Sequence, residues 1–246
     1  AEDWEPEARK LREALAQAAG AAAPPHLIGR ARKQCLHLGG AEVTEVLEVG
    51  GARLSYLQAE GAFSQPNARV AAAMLLWARQ QSAQIRSFWA EKGDNGGGDD
   101  AGSLLASEGN PPAPGTSVTS DASPSSPAPT RDLLELYCGN GNFTVAVAPF
   151  FRTVVATEVS KPGVAAAQRN FELNGVRNAH VARMRSEDFT REWHAKRTPK
   201  GLRGAVDVGA CDFSTLLVDP PRAGLDQDTL TLLKEFDHVL YISCNP

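Results

Sequence analysis

The sequence predicts an α/β fold built on a parallel sheet with helices on both faces. Two observations carry that prediction. From residue 131 onward, short apolar segments of strand length alternate with segments of helical period. Each apolar segment then runs into turn-forming or acidic residues, as strands do when they end at one edge of a sheet. The chain has 246 residues, which suits one large domain with a smaller attachment. Apolar residues at 42% and charged residues at 22% exclude wholesale disorder. No run approaches 18 apolar residues, so no membrane-spanning helix is predicted. Cys35, Cys138, Cys211 and Cys244 are scattered, and His26, His37, His180, His194 and His238 lack ligand spacing. A metal site and a disulfide framework are therefore not expected.

Taken in order, Pro6 to Ala18 reads as a helix with Leu11 and Leu15 on one face, ended by Pro24-Pro25. His26 to Gly29, Gln34 to Leu38, Val43 to Val49 and Arg53 to Gln58 read as antiparallel strands, with Gly-Gly pairs at 39–40 and 50–51 as turns. Asn67 is placed to cap a long helix through Ala90, with Val70, Met74, Leu75 and Trp77 expected toward a core. Between Gly93 and Thr130 there is no Lys, Arg or aromatic residue, and all but four residues are Gly, Pro, Ser, Ala, Asp, Asn or Thr. Such a segment buries too little apolar surface to offset its ordering entropy and is expected to be a disordered insertion. After it, strands are expected at Leu133–Tyr137, Thr153–Thr157, Ala179–Met184, Leu216–Val218 and His238–Ser243. Helices are expected from near Phe143, from Pro162 to Asn174 with Gly175 as the stop, and over Thr229–Phe236.

Ligands of open α/β sheets bind outside the carboxyl ends of the strands. The first of these strands delivers Gly139-Asn140-Gly141 there, a turn that brings backbone close to a ligand. The second delivers Glu158, a carboxylate placed to accept hydrogen bonds from both hydroxyls of a ribose, or simply to favour a helix N-terminus. Residues 142–144 are Asn, Phe and Thr, so the third glycine of a dinucleotide fingerprint is missing and pyrophosphate binding is disfavoured. The form Glu135-x-x-x-Gly139-x-Gly141 instead resembles the first motif of S-adenosylmethionine-dependent methyltransferases. The fourth strand ends in Asp219-Pro220-Pro221-Arg222, whose prolines fix a rigid exit. The fifth ends in Cys244-Asn245-Pro246. A lone strand-end cysteine is usually a small buried hydrophobe, but at this edge Cys244 is a candidate nucleophile.

Four stretches in this order, 133–144, 156–168, 218–226 and 241–246, resemble the tRNA (uracil-5-)-methyltransferase family, bacterial-type branch. Trp4 to Leu15, residues 26–30 and Phe63-Ser64-Gln65-Pro66-Asn67 resemble it as well, and residues 92–130 do not. The resemblance implies a Rossmann-like class I methyltransferase sheet, truncated after its fifth strand and preceded by part of a small α+β RNA-binding region. Expected boundaries are 1–62 for that region, 63–92 with 131–246 for the methyltransferase domain, and 93–130 for the insertion. It also implies S-adenosylmethionine as cofactor, contacted by Gln65, Tyr137, Asn142, Glu158 and Asp219, with tRNA as substrate and Cys244 as nucleophile. The implied chemistry activates uracil C5, a poor nucleophile, by adding the cysteine thiolate to C6. The proton-abstracting glutamate of the family lies downstream of the Cys-Asn-Pro motif, so it would fall beyond Pro246, and the chain is expected to be a fragment.

Three alternatives remain open at this level. An rRNA uracil-5-methyltransferase is the nearest sibling, although many of those carry an upstream iron–sulfur cysteine cluster that this sequence lacks. An amino-group methyltransferase would use Asp-Pro-Pro but not Cys-Asn-Pro. A non-catalytic cofactor- or RNA-binding remnant is the third. The chain starts on Ala, so its first residue is read as lying inside a longer gene product and the absence of a leader pattern says little about compartment; cytoplasmic location, with an organelle as alternative, is expected. Net charge is −4, which at first sight opposes nucleic-acid binding. Yet the 93–130 segment holds five acids and no base, and the rest of the chain has 24 acids against 25 bases. Residues 161–203 alone carry ten bases and four acids, enough to attract phosphates if they face a substrate.

Overall fold

The apolar runs after residue 131 form strands buried on both faces, as parallel strands must be when helices cover them. In a computed structural model, β5 (Asp132–Leu136) and β8 (Phe213–Val218) are buried at every position. With β6 (Val154–Glu158), β7 (Ala179–Arg183) and β9 (His238–Tyr241) they make a five-stranded sheet of order β7-β6-β5-β8-β9, parallel throughout. The structure describes residues 4–20, 23–31, 34–60, 64–92 and 128–243. Nearly all of the predicted insertion, Phe63 and the Cys244-Asn245-Pro246 motif lie outside the described residues.

Side-chain alternation sorts the sheet into two apolar layers. Leu133, Val154, Ala156 and Leu217 face one side, where α2 (Ala68–Lys92), α3 (Asn142–Val147) and α4 (Lys161–Leu173) pack. Leu134, Leu136, Val155, Leu216 and Val218 face the other, against Phe189 of α5 (Ser186–His194) and Leu232 of α6 (Gln227–Leu232). Helices therefore cover both faces, as expected. The fold is the predicted α/β arrangement.

The helix ends follow the sequence signals. Asn67 Oδ1 accepts from the amides of Arg69 (3.0 Å) and Val70 (3.2 Å) and so starts α2. Ser160 caps α4 by accepting from Gly163 N (3.2 Å), and Gly175, at φ +66°, follows its end. The buried face of α2 holds Leu75, with Met74 packed against it, as expected, but not Val70 or Trp77. Val70 and Trp77 are 43% and 38% exposed, while Ala71, Leu75, Ala78, Ser82 and Ile85 are buried. Those five recur at the spacing of one helical face, and three of them are small enough to let α2 approach α3 closely. Size misled the reading here, because the larger residues sit about 100° around the helix from that face. Buried Arg79 completes the contact by donating to Ala146 O at 2.8 Å.

Three further differences are local. The helix α5 was not anticipated, because only Phe189 and Trp193 interrupt a strongly charged segment. The helix expected over Thr229–Phe236 is α6 followed by a 3-10 turn at Leu233–Glu235. The last strand stops at Tyr241, two residues short of the expected Ser243.

The chain divides into two compact units, residues 1–45 with 57–62, and residues 46–56 with 63–246. The first contains α1 (Trp4–Ala19) and the antiparallel pair β1 (Leu27–Ala31) and β2 (Gln34–Leu38), in which Leu27 pairs with Leu38. An ion pair of Arg30 with Glu60 also belongs to it. The strands β3 (Glu42–Val49) and β4 (Ala52–Ala59) form a hairpin whose tip belongs to the second unit, where Val49 and Tyr56 join the apolar layer beside α2. Among the described residues, no helix is long and apolar enough to cross a membrane.

Candidate active site

The five parallel strands end at one edge, and their registers set what stands side by side there. Leu136 pairs with Thr157 and with Val218, and Val218 pairs with Tyr241. Tyr137, Glu158 and Asp219 therefore emerge next to one another, with Ile242 following on β9 and donating to Val218 O at 2.9 Å. Connections leave β5 toward β6 and β7 on one side and return to β8 and β9 on the other. That reversal makes the ends of β5 and β8 the switch point of the sheet.

The turn after β5 is tight. Gly139 and Gly141 take φ of +58° and +79°, and Gly141 N donates to Cys138 O at 2.8 Å. A Cβ on Gly141 would lie 2.7 Å from Phe171 Cε1, so α4 closes on the turn only because this residue is glycine. Asn170 Nδ2 then holds the turn from α4 by donating to Asn140 O at 2.9 Å. Tyr137 itself has φ +62°, which for a bulky residue costs about 1–3 kcal/mol and is met where surrounding contacts hold it.

Glu158 bridges this turn to α4. One carboxylate oxygen accepts from Gly139 N (3.0 Å) and the other from Ser160 N (2.7 Å). Gly163 leaves the room for it, since a Cβ there would stand 2.9 Å from Glu158 Cγ and 3.2 Å from Gly139 O. A carboxylate has about four acceptor positions, so two remain for a ligand. Asn142 opens α3 with its carbonyl accepting from Tyr56 OH at 3.0 Å, while its side-chain oxygen is buried and has no hydrogen-bond partner. Asp219 is half-buried, and burial pushes its carboxyl above the ordinary value. Gln65 stands before α2, half-buried, with its amide against Met74 Sδ at 3.7 Å rather than against the other four. The structure thus gathers Tyr137, Asn142, Glu158 and Asp219 at one edge. It gives Gln65 no hydrogen bond to them, and Cys244 lies outside the described residues.

Two features go beyond the sequence reading, in which Glu135 stands only as the first residue of the glycine motif. Glu135 sits fully buried within β5, accepting from Thr144 Oγ1 at 2.5 Å. Burial pushes its carboxyl up to about 8, the Thr144 bond opposes this and the charge of Asp219 adds to it. The acid in an otherwise apolar strand was the available signal. The second feature is a cluster of Tyr137, Ser186, Asp226 and Thr229, signalled only by an Asp three residues before a Thr at a helix start. Cys138 is a buried thiol pushed well up by burial and by the charges of Glu135 and Glu158. A small cleft lined by Ile85, Trp89, Arg131 and Phe151 lies at the opposite, amino end of the strands and has no share in this edge.

A five-stranded parallel sheet with a glycine turn and an acid at adjacent strand ends defines a nucleoside-cofactor α/β fold. The family model for tRNA (uracil-5-)-methyltransferase matches residues 1–88 and 123–246, and the chain belongs to that family. The tRNA/tmRNA (uracil-C(5))-methyltransferase of Actinobacillus pleuropneumoniae serotype 5b (strain L20) is 40% identical over 245 residues, covering 100% of this chain and 54% of that protein. The enzyme of the same name from Azoarcus sp. (strain BH72) is 41% identical over 244 residues, covering 99% and 52%. The chain spans about half the length of these relatives. Among solved structures, the Pyrococcus abyssi tRNA (uracil-54, C5)-methyltransferase in complex with S-adenosyl-L-homocysteine matches with a TM-score of 0.50 at 18% identity, over 93% of this chain and 43% of that one. That likeness concerns the fold.

Proposed function

We propose that this chain carries the cofactor edge and the nucleophile of an enzyme that methylates uridine at C5 in tRNA, with S-adenosylmethionine as donor. The observation that carries the reading is the Glu158 bridge, which sets the β6 acid directly against the glycine turn of β5. Membership of the family and the tRNA/tmRNA designation of relatives 40% identical over the whole chain support the substrate class. The residues fit the cofactor on an independent point: Asn142 Oδ1 is a buried acceptor without a donor, as expected where a bound amine or ammonium supplies one.

In this reading Glu158 accepts from ribose hydroxyls through its two free acceptor positions, and Tyr137, Asn142, Asp219 and Gln65 complete the contacts. S-adenosylmethionine, when bound, supplies an electrophilic methyl group that the activated C5 takes up. Cys244 provides the activation: its thiolate adds to C6 of the uracil, and the electron pair moves to the C4 carbonyl oxygen as an enolate, making C5 nucleophilic. Loss of the C5 proton to a base and expulsion of the thiolate from C6 restore the ring and the free cysteine. Residues 1–62 are assigned to RNA contact, 63–92 with 131–246 to methyl transfer, and 93–130 to an insertion. The family model leaves 89–122 unmatched, which supports that last assignment. Part of the basic excess between 161 and 203 is paired, Arg191 with Asp188 and Arg197 with Glu192.

Transfer of labelled methyl from S-adenosylmethionine to unmodified tRNA, with an rRNA transcript as competitor, tests the function. In the full-length enzyme that contains this chain, wild type is expected to label tRNA at C5 of uridine, and Cys244→Ala to label neither RNA. Labelling of rRNA alone, or of an exocyclic amine, overturns the assignment.

A further inference from the structure

We propose that Asp226 is a positioning residue of the cofactor edge, acting through Tyr137. The proposal rests on the reading of Tyr137 as a cofactor contact. Asp226 Oδ2 faces three hydroxyls: Thr229 Oγ1 at 2.6 Å, Tyr137 OH at 3.0 Å and Ser186 Oγ at 3.2 Å. Its other oxygen accepts from Thr229 N at 2.9 Å and caps α6. Tyr137 OH and Ser186 Oγ are 2.8 Å apart, so the phenol is held from β5, α5 and α6 together. Ser186 and Thr229 are 4% and 0% exposed, while Tyr137 and Asp226 are only partly buried.

Two independent observations give this cluster a purpose beyond capping. Tyr137 has a left-handed backbone, φ +62°, that a bulky residue does not hold unaided. It also stands at the switch point beside Glu158 and Asp219 rather than in the core. Capping α6 needs only the oxygen that meets Thr229 N, whereas Oδ2, besides meeting Thr229 Oγ1, also accepts from the Tyr137 phenol. With the ring tethered by its hydroxyl, its face is fixed before a ligand arrives, and binding does not have to immobilise it. Electrostatics agree. Burial chiefly raises the Tyr137 phenol, the Ser186 and Thr229 bonds lower it, and the Asp226 bond and charge raise it. The Asp226 carboxyl is raised by partial desolvation, but the bonds from Thr229, Tyr137 and Ser186 outweigh this and bring it below its ordinary value.

The test uses the intact chain with S-adenosylhomocysteine as the calorimetric probe, and Asp226→Ser, Tyr137→Phe and the double variant. Serine keeps a capping oxygen for Thr229 N but is too short to hold the phenol. Each single variant is expected to bind the probe about three- to ten-fold more weakly, and the double variant no more weakly than either. Ultraviolet titration is expected to show Tyr137 ionising at lower pH in Asp226→Ser than in wild type, a shift that loss of a helix cap alone would not produce. Additive losses, an unchanged affinity in Asp226→Ser, or an unchanged titration overturn the proposal. Glu158→Gln leaves the cluster intact and tests the cofactor reading separately. If wild type binds no probe, that reading fails, and the titration alone decides whether Asp226 tethers Tyr137.

Discussion

Glu135 shows how one buried acid shapes both stability and the site. Its carboxyl moves from an ordinary 4.5 up to about 8, so the native chain keeps a proton that the unfolded chain releases between those values. The stability it contributes is full below pH 4.5 and is lost as pH rises toward 8. Thermal unfolding of wild type is therefore expected to weaken from pH 5 to pH 8 relative to Glu135→Gln, which keeps an acceptor for Thr144 and does not titrate. Parallel curves for the two proteins would contradict this. The same protonation keeps a second negative charge away from Asp219 at neutral pH. An acid at this position could be read from the sequence, but its ionisation is set chiefly by burial in the folded sheet, with Thr144 opposing and Asp219 adding, nine and 84 positions away. Glu158 was the more legible residue, because the end of a strand beside a glycine turn already fixes where its side chain goes. Asp226 was not legible as a partner of Tyr137, since nothing local joins residues 89 positions apart.

At the scale of elements, the ends were written more clearly than the faces. Asn67, Ser160 and Gly175 sit where capping chemistry places them, and each is local in sequence. Replacing Asn67 with Ala removes an acceptor for two amides at the start of α2. It is expected to cost about 1 kcal/mol, read as a lower urea midpoint with unchanged slope. An unchanged midpoint would mean that solvent satisfies those amides equally well. The face of α2 was partly misjudged because hydrophobic size competed with fit. Close packing on α3 selects Ala71 and Ala78 over Val70 and Trp77. The helix α5 escaped notice because a short helix with one deeply buried aromatic residue, Phe189, leaves almost no periodic signal.

Across the whole molecule, alternation of strand and helix made the parallel sheet readable, while the order β7-β6-β5-β8-β9 was not. Strand order is decided by pairings between distant segments, and those leave no trace in any one of them. Order nevertheless sets the edge, because it brings the ends of β5, β6 and β8 together and places β9 beside β8. The net charge of −4 is likewise a property of parts: the acids of 93–130 outweigh a remainder that is nearly neutral and locally basic. The proposal that joins these levels is covalent activation of uridine by Cys244. It is tested most directly by incubating the chain with S-adenosylmethionine and tRNA containing 5-fluorouridine, whose C5 fluorine blocks the final elimination. A protein–RNA adduct that survives denaturation, and is absent with Cys244→Ala, is the predicted result. An adduct of equal yield with Cys244→Ala, or methylated tRNA formed by wild type without any adduct, would contradict it.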